Sequence, residues 1–117
     1  MGRLSTHVLD TSNGRPAAGV QIELFCRAGK DWKHLRSMAT NAEGRTDQPL
    51  LVGDELTPNT YRIEFHIADY FRRAGAKLSD PPFLDVVPVQ IGIADPAAHY
   101  HVPLLCTPWS YSTYRGS

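Results

Sequence analysis

The stretch Tyr61-Arg62-Ile63-Glu64-Phe65-His66-Ile67 is the clearest structural signal in the sequence. Apolar and polar side chains alternate along it, which is the pattern of a β-strand with one face in a core and the other towards solvent. The alternation stops in the next segment, 68–74, which predicts a short helix ended by Gly75. The fold is therefore expected to be built from strands, with a helix after this one.

Similar short segments occur on both sides of this strand. Further strands are predicted over residues 4–10, 20–26, 35–40, 45–47, 87–93, 99–106 and 109–117. Asn13-Gly14 predicts a tight turn, and Pro88 predicts an edge strand or a bulge. About eight short strands with one helix are typical of an all-β sandwich. With no repeat and no low-complexity segment, residues 1–117 are expected to form a single domain.

The composition excludes several classes of protein. Hydrophobic residues make up 42% and charged residues 21% of the chain, which is typical of a globular protein. Twelve basic and twelve acidic residues give no electrostatic reason to expect a nucleic acid or an anionic membrane as partner. No signal peptide or membrane-spanning stretch is recognisable, so a cytoplasmic location is expected. Cys26 and Cys106 lie in apolar runs and are predicted to be buried free thiols.

The solvent-facing sides of the predicted strands carry the side chains that could take part in catalysis. The core-facing residues of the first and penultimate strands are predicted to be Leu4, Thr6, Val8, Tyr100, Val102 and Leu104. The outward faces then hold His7, His99, His101 and Pro103. Imidazoles transfer protons near neutral pH and arginines bind carbonyl or anionic oxygens, so such a surface suits hydrolysis of a small polar heterocycle. Surface histidines are nevertheless more often ordinary than catalytic, and His34 and His66 are interpreted as solvated surface groups.

Other kinds of chemistry find less support in the sequence. His99 and His101 could share a zinc ion, but no third ligand is evident nearby. There is no glycine-rich phosphate loop and no nucleophile elbow around a serine or cysteine. Neither a metal nor a cofactor is predicted.

Four motifs, spread from one end of the chain to the other, resemble those of the 5-hydroxyisourate hydrolases. They are Leu4-Ser5-Thr6-His7-Val8-Leu9-Asp10-Thr11, Glu43-Gly44-Arg45-Thr46, His99-Tyr100-His101-Val102-Pro103-Leu104-Leu105 and Tyr114-Arg115-Gly116-Ser117. The stretch Cys106-Thr107-Pro108-Trp109 departs from the family, which is more aliphatic there. That departure concerns packing and none of the site positions.

The resemblance implies a transthyretin-like sandwich of two four-stranded sheets. It implies a homotetramer that encloses a channel, with the active sites at the interface between subunits. The implied reaction is hydrolysis of 5-hydroxyisourate to 2-oxo-4-hydroxy-4-carboxy-5-ureidoimidazoline in urate degradation, without a cofactor.

Matching the motifs residue by residue implies the site. The catalytic residues would be His7, Arg45 and His101, and the substrate-binding residues would be Tyr114, Arg115, Gly116 and Ser117. The two histidines would orient and deprotonate the attacking water, and Arg45 would bind substrate and stabilise the developing oxyanion. The terminal residues would shape the pocket.

Three rival interpretations remain at this stage. A transthyretin-type carrier would hold a small ligand without catalysis, but the family's carriers present Lys, Glu and Thr where this chain has His7, Arg45 and His101, and they lack the Tyr-Arg-Gly-Ser ending. A structural or adhesive sandwich module would have no reason to collect imidazoles and guanidinium groups on one face. A zinc hydrolase on the same fold would be inhibited by EDTA.

Overall fold

Two β-sheets enclose the apolar core of the protein. The computed structural model describes residues 1–117. Its strands are β1 Arg3–Asp10, β2 Arg15–Pro16, β3 Gln21–Ala28, β4 Asp31–Ala39, β5 Leu51–Val52, β6 Asn59–His66, β7 Val86–Ile93, β8 His99–Cys106 and β9 Tyr111–Thr113. The helix α1 spans Ile67–Arg73, and a 3-10 turn spans Gly53–Glu55. The all-β sandwich with one short helix is therefore confirmed.

The strand order explains how distant motifs come together. The first sheet has the order β2-β1-β8-β9, with β5 also paired to β1, and the second has the order β4-β3-β6-β7. The β1–β8 pair is parallel, and the other strand pairs are antiparallel. The prediction of four strands per sheet is right for the second sheet, whereas the first contains β5 as a fifth, two-residue strand. Pro88 lies in the edge strand β7, as expected.

The segment predicted as a strand at 45–47 is not one. Arg45 makes a single bridge to His7, and the strand that pairs with β1 comes later, at Leu51–Val52. The backbone around Arg45 is used instead in a turn, in which the Asn41 side-chain oxygen accepts hydrogen bonds from the N–H groups of Glu43 and Arg45. Local hydrogen bonds from an asparagine compete with strand pairing in this way.

Two strand ends also differ from the predictions. The last strand covers only Tyr111–Thr113, because the residues after Pro108 first form a turn in which Ser110 and Thr107 are hydrogen-bonded. Strand β6 ends at His66, and Ile67 is buried as predicted but already belongs to α1.

The core confirms the alternation read from the sequence. Ile63 and Phe65 of β6 are completely buried. The predicted core-facing residues of β1 and β8 are buried as well, namely Leu4, Thr6, Val8, Tyr100, Val102 and Leu104. The two cysteines are free, with Cys106 buried and Cys26 half-buried. Burial, helped by the nearby Asp10 charge, raises the pKa of the Cys106 thiol to about 12, so this thiol is protonated and unreactive at neutral pH.

Two histidines of the second sheet, His34 and His66, differ in their exposure to solvent. His34 is exposed and hydrogen-bonds Glu23, as a surface group would. His66 is half-buried, and its Nε2 atom is enclosed without a hydrogen-bond partner. The prediction that His66 is solvated is therefore wrong, because the side chain lies where β6 passes into α1.

The one α-helix is too short to cross a membrane.

A buried carboxylate connects β1 to the helix. Asp10, at the end of β1, is completely buried and accepts hydrogen bonds from Ser12, Asn13 and Tyr70, with the shortest at 2.7 Å. Burial alone would raise the pKa of this carboxyl, but the hydrogen bonds from Asn13, Ser12 and Tyr70 outweigh it and leave the pKa below its usual value. Asp10 is thus ionised in the folded protein at neutral pH.

We expect Asp10→Asn to lower the free energy of unfolding by about 2–3 kcal/mol, because an amide cannot accept all the hydrogen bonds that the carboxylate accepts. The Asp10 pKa is lower in the folded than in the unfolded state. Its contribution is therefore present above the unfolded-state pKa and is lost as the pH falls through the folded-state pKa. Urea unfolding between pH 3 and 7 measures both effects. The control is Asp69→Asn, whose carboxylate is exposed; an equal loss of stability in both variants would contradict the role of Asp10.

Candidate active site

The outward sides of β1 and β8 form the surface that holds the predicted catalytic histidines. In the parallel β1–β8 pair, Ser5 lies opposite His101 and His7 lies opposite Pro103. Residues at alternate positions of a strand face the same side, so Ser5, His7 and His101 share the face that points away from the core. Pro103 shares this face but is buried, since the C-terminal segment covers it.

The hydrogen bond made by His7 defines its tautomer. The Nε2 atom of His7 lies 2.9 Å from the carbonyl oxygen of Glu43. A carbonyl can only accept a hydrogen bond, so Nε2 carries the proton and donates it. The Nδ1 atom is then the one nitrogen of His7 that can accept a proton.

A glycine turn places Arg45 beside His7. Gly44 has a φ of 78°, in the left-handed region that glycine adopts readily, and its carbonyl accepts a hydrogen bond from the Val8 N–H at 2.8 Å. A side chain at this position would collide with the Val8 carbonyl oxygen and would lie 3.3 Å from the His7 ring. The turn therefore requires glycine, and it fixes Arg45 in a bridge opposite His7.

His101 is held from two sides. Its Nδ1 atom lies 2.8 Å from the Ser5 hydroxyl oxygen, and its backbone oxygen accepts a hydrogen bond of 2.7 Å from the Gly116 N–H. Gly116 packs so closely that a Cβ there would lie 2.8 Å from the ring carbon Cδ2. The imidazole thus sits between β1 and the C-terminal segment, in one orientation.

The surroundings of His101 favour its neutral form. Burial lowers the pKa of this imidazole, and the positive charges of Arg45, His7 and Arg3 lower it further. A neutral imidazole can accept a proton, which is what a general base requires. His101 is therefore suited to deprotonating water at neutral pH.

His101 and Arg45 meet at one surface hollow of about 370 Å³. Its lining residues are Arg3, Ser5, Arg45, His99, Tyr100, His101 and Ser117. Hollows of about 410 Å³ and 450 Å³ elsewhere on the chain contain no histidine, so they lack a group that transfers protons near neutral pH. We take the histidine-lined hollow as the candidate active site. No group of three or more His, Cys, Asp or Glu side chains is close enough to hold a metal ion.

The structure brings together only part of the predicted set within one chain. His101, Arg45 and Ser117 line the active-site hollow, and Gly116 packs on His101. His7 lies beyond the lining, next to Arg45. The sequence reasoning missed Arg3 and Ser5. The available signal was the alternation along β1, which puts both on the same face as His7.

Tyr114 and Arg115 line a different hollow, of about 340 Å³, beside the edge strand β7. The Arg115 guanidinium lies over the Tyr100 ring, 4.3 Å from its centroid, and donates a hydrogen bond of 3.2 Å to the His99 carbonyl. In the single chain, Arg115 therefore fastens the tail to β8. Its predicted contact with substrate, and that of Tyr114, stay predictions.

Comparison with known proteins agrees with this fold. Residues 4–116 match the model of the HIUase/Transthyretin family. The chain belongs to this family. It is 56% identical to 5-hydroxyisourate hydrolase 2 of Rhizobium meliloti (strain 1021), over 99% of this chain and 97% of that protein.

Two solved structures show that the fold alone does not distinguish a hydrolase from a carrier. The structure of Klebsiella pneumoniae 5-hydroxyisourate hydrolase matches with a TM-score of 0.82 and 32% identity, covering the whole of both chains. Sea bream transthyretin, solved in complex with thyroxine, matches with a TM-score of 0.86 and 27% identity, over 97% of this chain and 94% of that chain. Because the backbone resembles both, the side chains in the hollow must distinguish hydrolase from carrier.

Proposed function

We propose that this protein hydrolyses 5-hydroxyisourate to 2-oxo-4-hydroxy-4-carboxy-5-ureidoimidazoline, a step of urate degradation. The observation that supports this most strongly is the hollow in which a His101 with a lowered pKa faces Arg45. The similarity to a relative named 5-hydroxyisourate hydrolase 2 supplies the substrate. A carrier has no use for a proton acceptor beside a guanidinium group.

The geometry suggests how the reaction proceeds. Water attacks a ring carbonyl carbon while an imidazole removes its proton. The two candidate proton acceptors are His101, which lines the hollow, and His7, which lies opposite Arg45. The Arg45 guanidinium stabilises the negative charge that develops on the carbonyl oxygen. The ring C–N bond then breaks, and the leaving nitrogen takes up the proton. We propose that these side chains suffice, without a cofactor.

The product and the need for metal can be tested together. Fresh 5-hydroxyisourate, generated from urate by urate oxidase, would be followed by ¹³C NMR without this protein, with it, and with it in the presence of EDTA. We expect the carboxylated ureidoimidazoline to accumulate faster with the protein, and equally fast with EDTA. A transthyretin-type carrier would instead hold the substrate unchanged and slow its decay.

We further propose that the active protein is a homotetramer. Strands β7 and β9 leave one edge each of the two sheets unpaired. Close to these edges, Phe83 and Trp109 are 69% and 58% exposed, with ring centroids 6.1 Å apart. Unpaired edges and exposed aromatic pairs favour association with another copy. The family resemblance implies active sites between subunits, so we propose that another copy also packs over the hollow.

We expect light scattering to give four times the 13.0 kDa mass of one chain. Phe83→Ser should shift the mass distribution towards smaller species, because it removes an exposed aromatic side chain from the proposed interface. The control is Val52→Ser, which changes a side chain 46% exposed on β5. A monomeric wild type, or equal effects of both substitutions, would contradict the proposed assembly.

A further inference from the structure

Ser5 lines the active-site hollow, and the proposed reaction assigns it no role. Its hydroxyl oxygen lies 2.8 Å from Nδ1 of His101, and this is the one hydrogen bond of either side chain within the chain. The contact joins residues 96 positions apart and depends on the parallel pairing of β1 with β8. Neither residue is exposed enough for this contact to be a loose surface encounter.

The other nitrogen of His101 has no partner within the chain. Nε2 makes no hydrogen bond, yet it is not among the enclosed polar atoms that lack one. Nε2 is therefore accessible from the surface, and the hollow that His101 lines with Arg45 and Ser117 is where we place its lone pair. A proton acceptor for water has to be this atom, since Nδ1 is occupied by Ser5.

A neutral imidazole carries one proton on its two ring nitrogens. The direction of the hydrogen bond with Ser5 therefore decides whether Nε2 can accept a proton. If the Ser5 hydroxyl donates to Nδ1, the proton lies on Nε2, which then cannot act as a base. If Nδ1–H donates to the Ser5 oxygen, Nε2 keeps its lone pair. In the second arrangement the same hydrogen bond persists after Nε2 takes a proton, because Nδ1 is protonated in both states.

We propose that Ser5 is a positioning residue that accepts a hydrogen bond from Nδ1–H of His101 and so keeps the Nε2 lone pair directed into the hollow. This inference rests on the proposed hydrolase function. The charged groups that face His101 are Arg3, His7 and Arg45, which are all cationic or can become so. Arg3 and Arg45 have no acceptor atom, and no hydrogen bond joins His7 to His101, so Ser5 is the acceptor for the Nδ1 proton within the chain.

The first readout is the tautomer itself, measured by ¹⁵N NMR of the histidine side chains in the assembled wild-type protein at a pH where His101 is neutral. We expect the Nδ1–H tautomer for His101. In Ser5→Ala the population should move towards Nε2–H, and in Ser5→Thr, which retains a hydroxyl, it should stay with Nδ1–H. An Nε2–H tautomer in the wild type would overturn the proposal, whatever the protein's activity.

The second readout is turnover of fresh 5-hydroxyisourate. Losing one hydrogen bond that orients the base should lower kcat of Ser5→Ala by about tenfold with little change in KM, and Ser5→Thr should restore it. The matched control is Ser37→Ala, which removes a serine–histidine contact of 3.1 Å on the other sheet. Normal kcat in Ser5→Ala would contradict the positioning role. A wild type that does not accelerate hydrolysis would contradict the proposed function, while the tautomer result would still decide the Ser5 contact.

Discussion

Replacing Gly44 by alanine is expected to destabilise the protein and to remove most of its hydrolase activity. The φ of 78° places a non-glycine residue in a strained conformation, which costs about 1–3 kcal/mol. The added methyl group would also collide with the carbonyl oxygen of Val8 in β1. Relief of the collision has to move the turn away from β1, and Arg45 moves with it.

Gly14 provides the control for this substitution, because it separates the backbone strain from the collision. Its φ is 65°, and an alanine methyl group there would meet nothing within 4 Å. We expect Gly14→Ala to lose only the strain energy and to keep its kcat, whereas Gly44→Ala should lower Tm by roughly 5–15 °C and lose activity at a temperature where it is still folded. Thermal unfolding and turnover measured on both variants test this. Equal behaviour of the two would show that the Gly44 turn does not position the site.

His101→Ala is expected to have the largest effect on catalysis. General-base catalysis contributes about 10²- to 10⁴-fold, so kcat should fall by a factor in that range. The imidazole is half-buried on the outward face of the first sheet and does not belong to the core, so its removal should leave the fold intact. The measurement is steady-state turnover of fresh 5-hydroxyisourate, with circular dichroism to verify folding.

His34→Ala is the matched control, since His34 is an exposed histidine on β4 of the other sheet. Its kcat should equal that of the wild type. A His101→Ala protein that retains near-normal turnover would remove His101 from the mechanism and leave His7 as the proton acceptor to test next.

The strands could be predicted from the sequence because their signal is local. The alternation in Tyr61–His66 or Leu4–Asp10 depends only on the two-residue period of a strand and on which side chains avoid water. The prediction failed where a side chain competes with strand pairing, as Asn41 does in the turn before Arg45.

The site was predictable only in part, for a different reason. His7, Arg45 and His101 were found through motifs that resemble a family, and no spacing in the sequence places them together. The contact between Ser5 and His101 depends on a parallel strand pair whose partners are 96 residues apart. Nothing local distinguishes Ser5 from any other polar residue on a strand. The same holds for Arg115, whose contact with Tyr100 follows from the course of the tail after β9.

The central claim is that the hollow around His101 hydrolyses 5-hydroxyisourate. The most direct measurement is the ultraviolet decay of fresh substrate, recorded with wild type, with His101→Ala and without protein. The account predicts decay well above the spontaneous rate with wild type and near-spontaneous decay with His101→Ala. Decay no faster than the spontaneous rate with a folded, assembled wild-type protein would contradict it, and slower decay would favour the carrier.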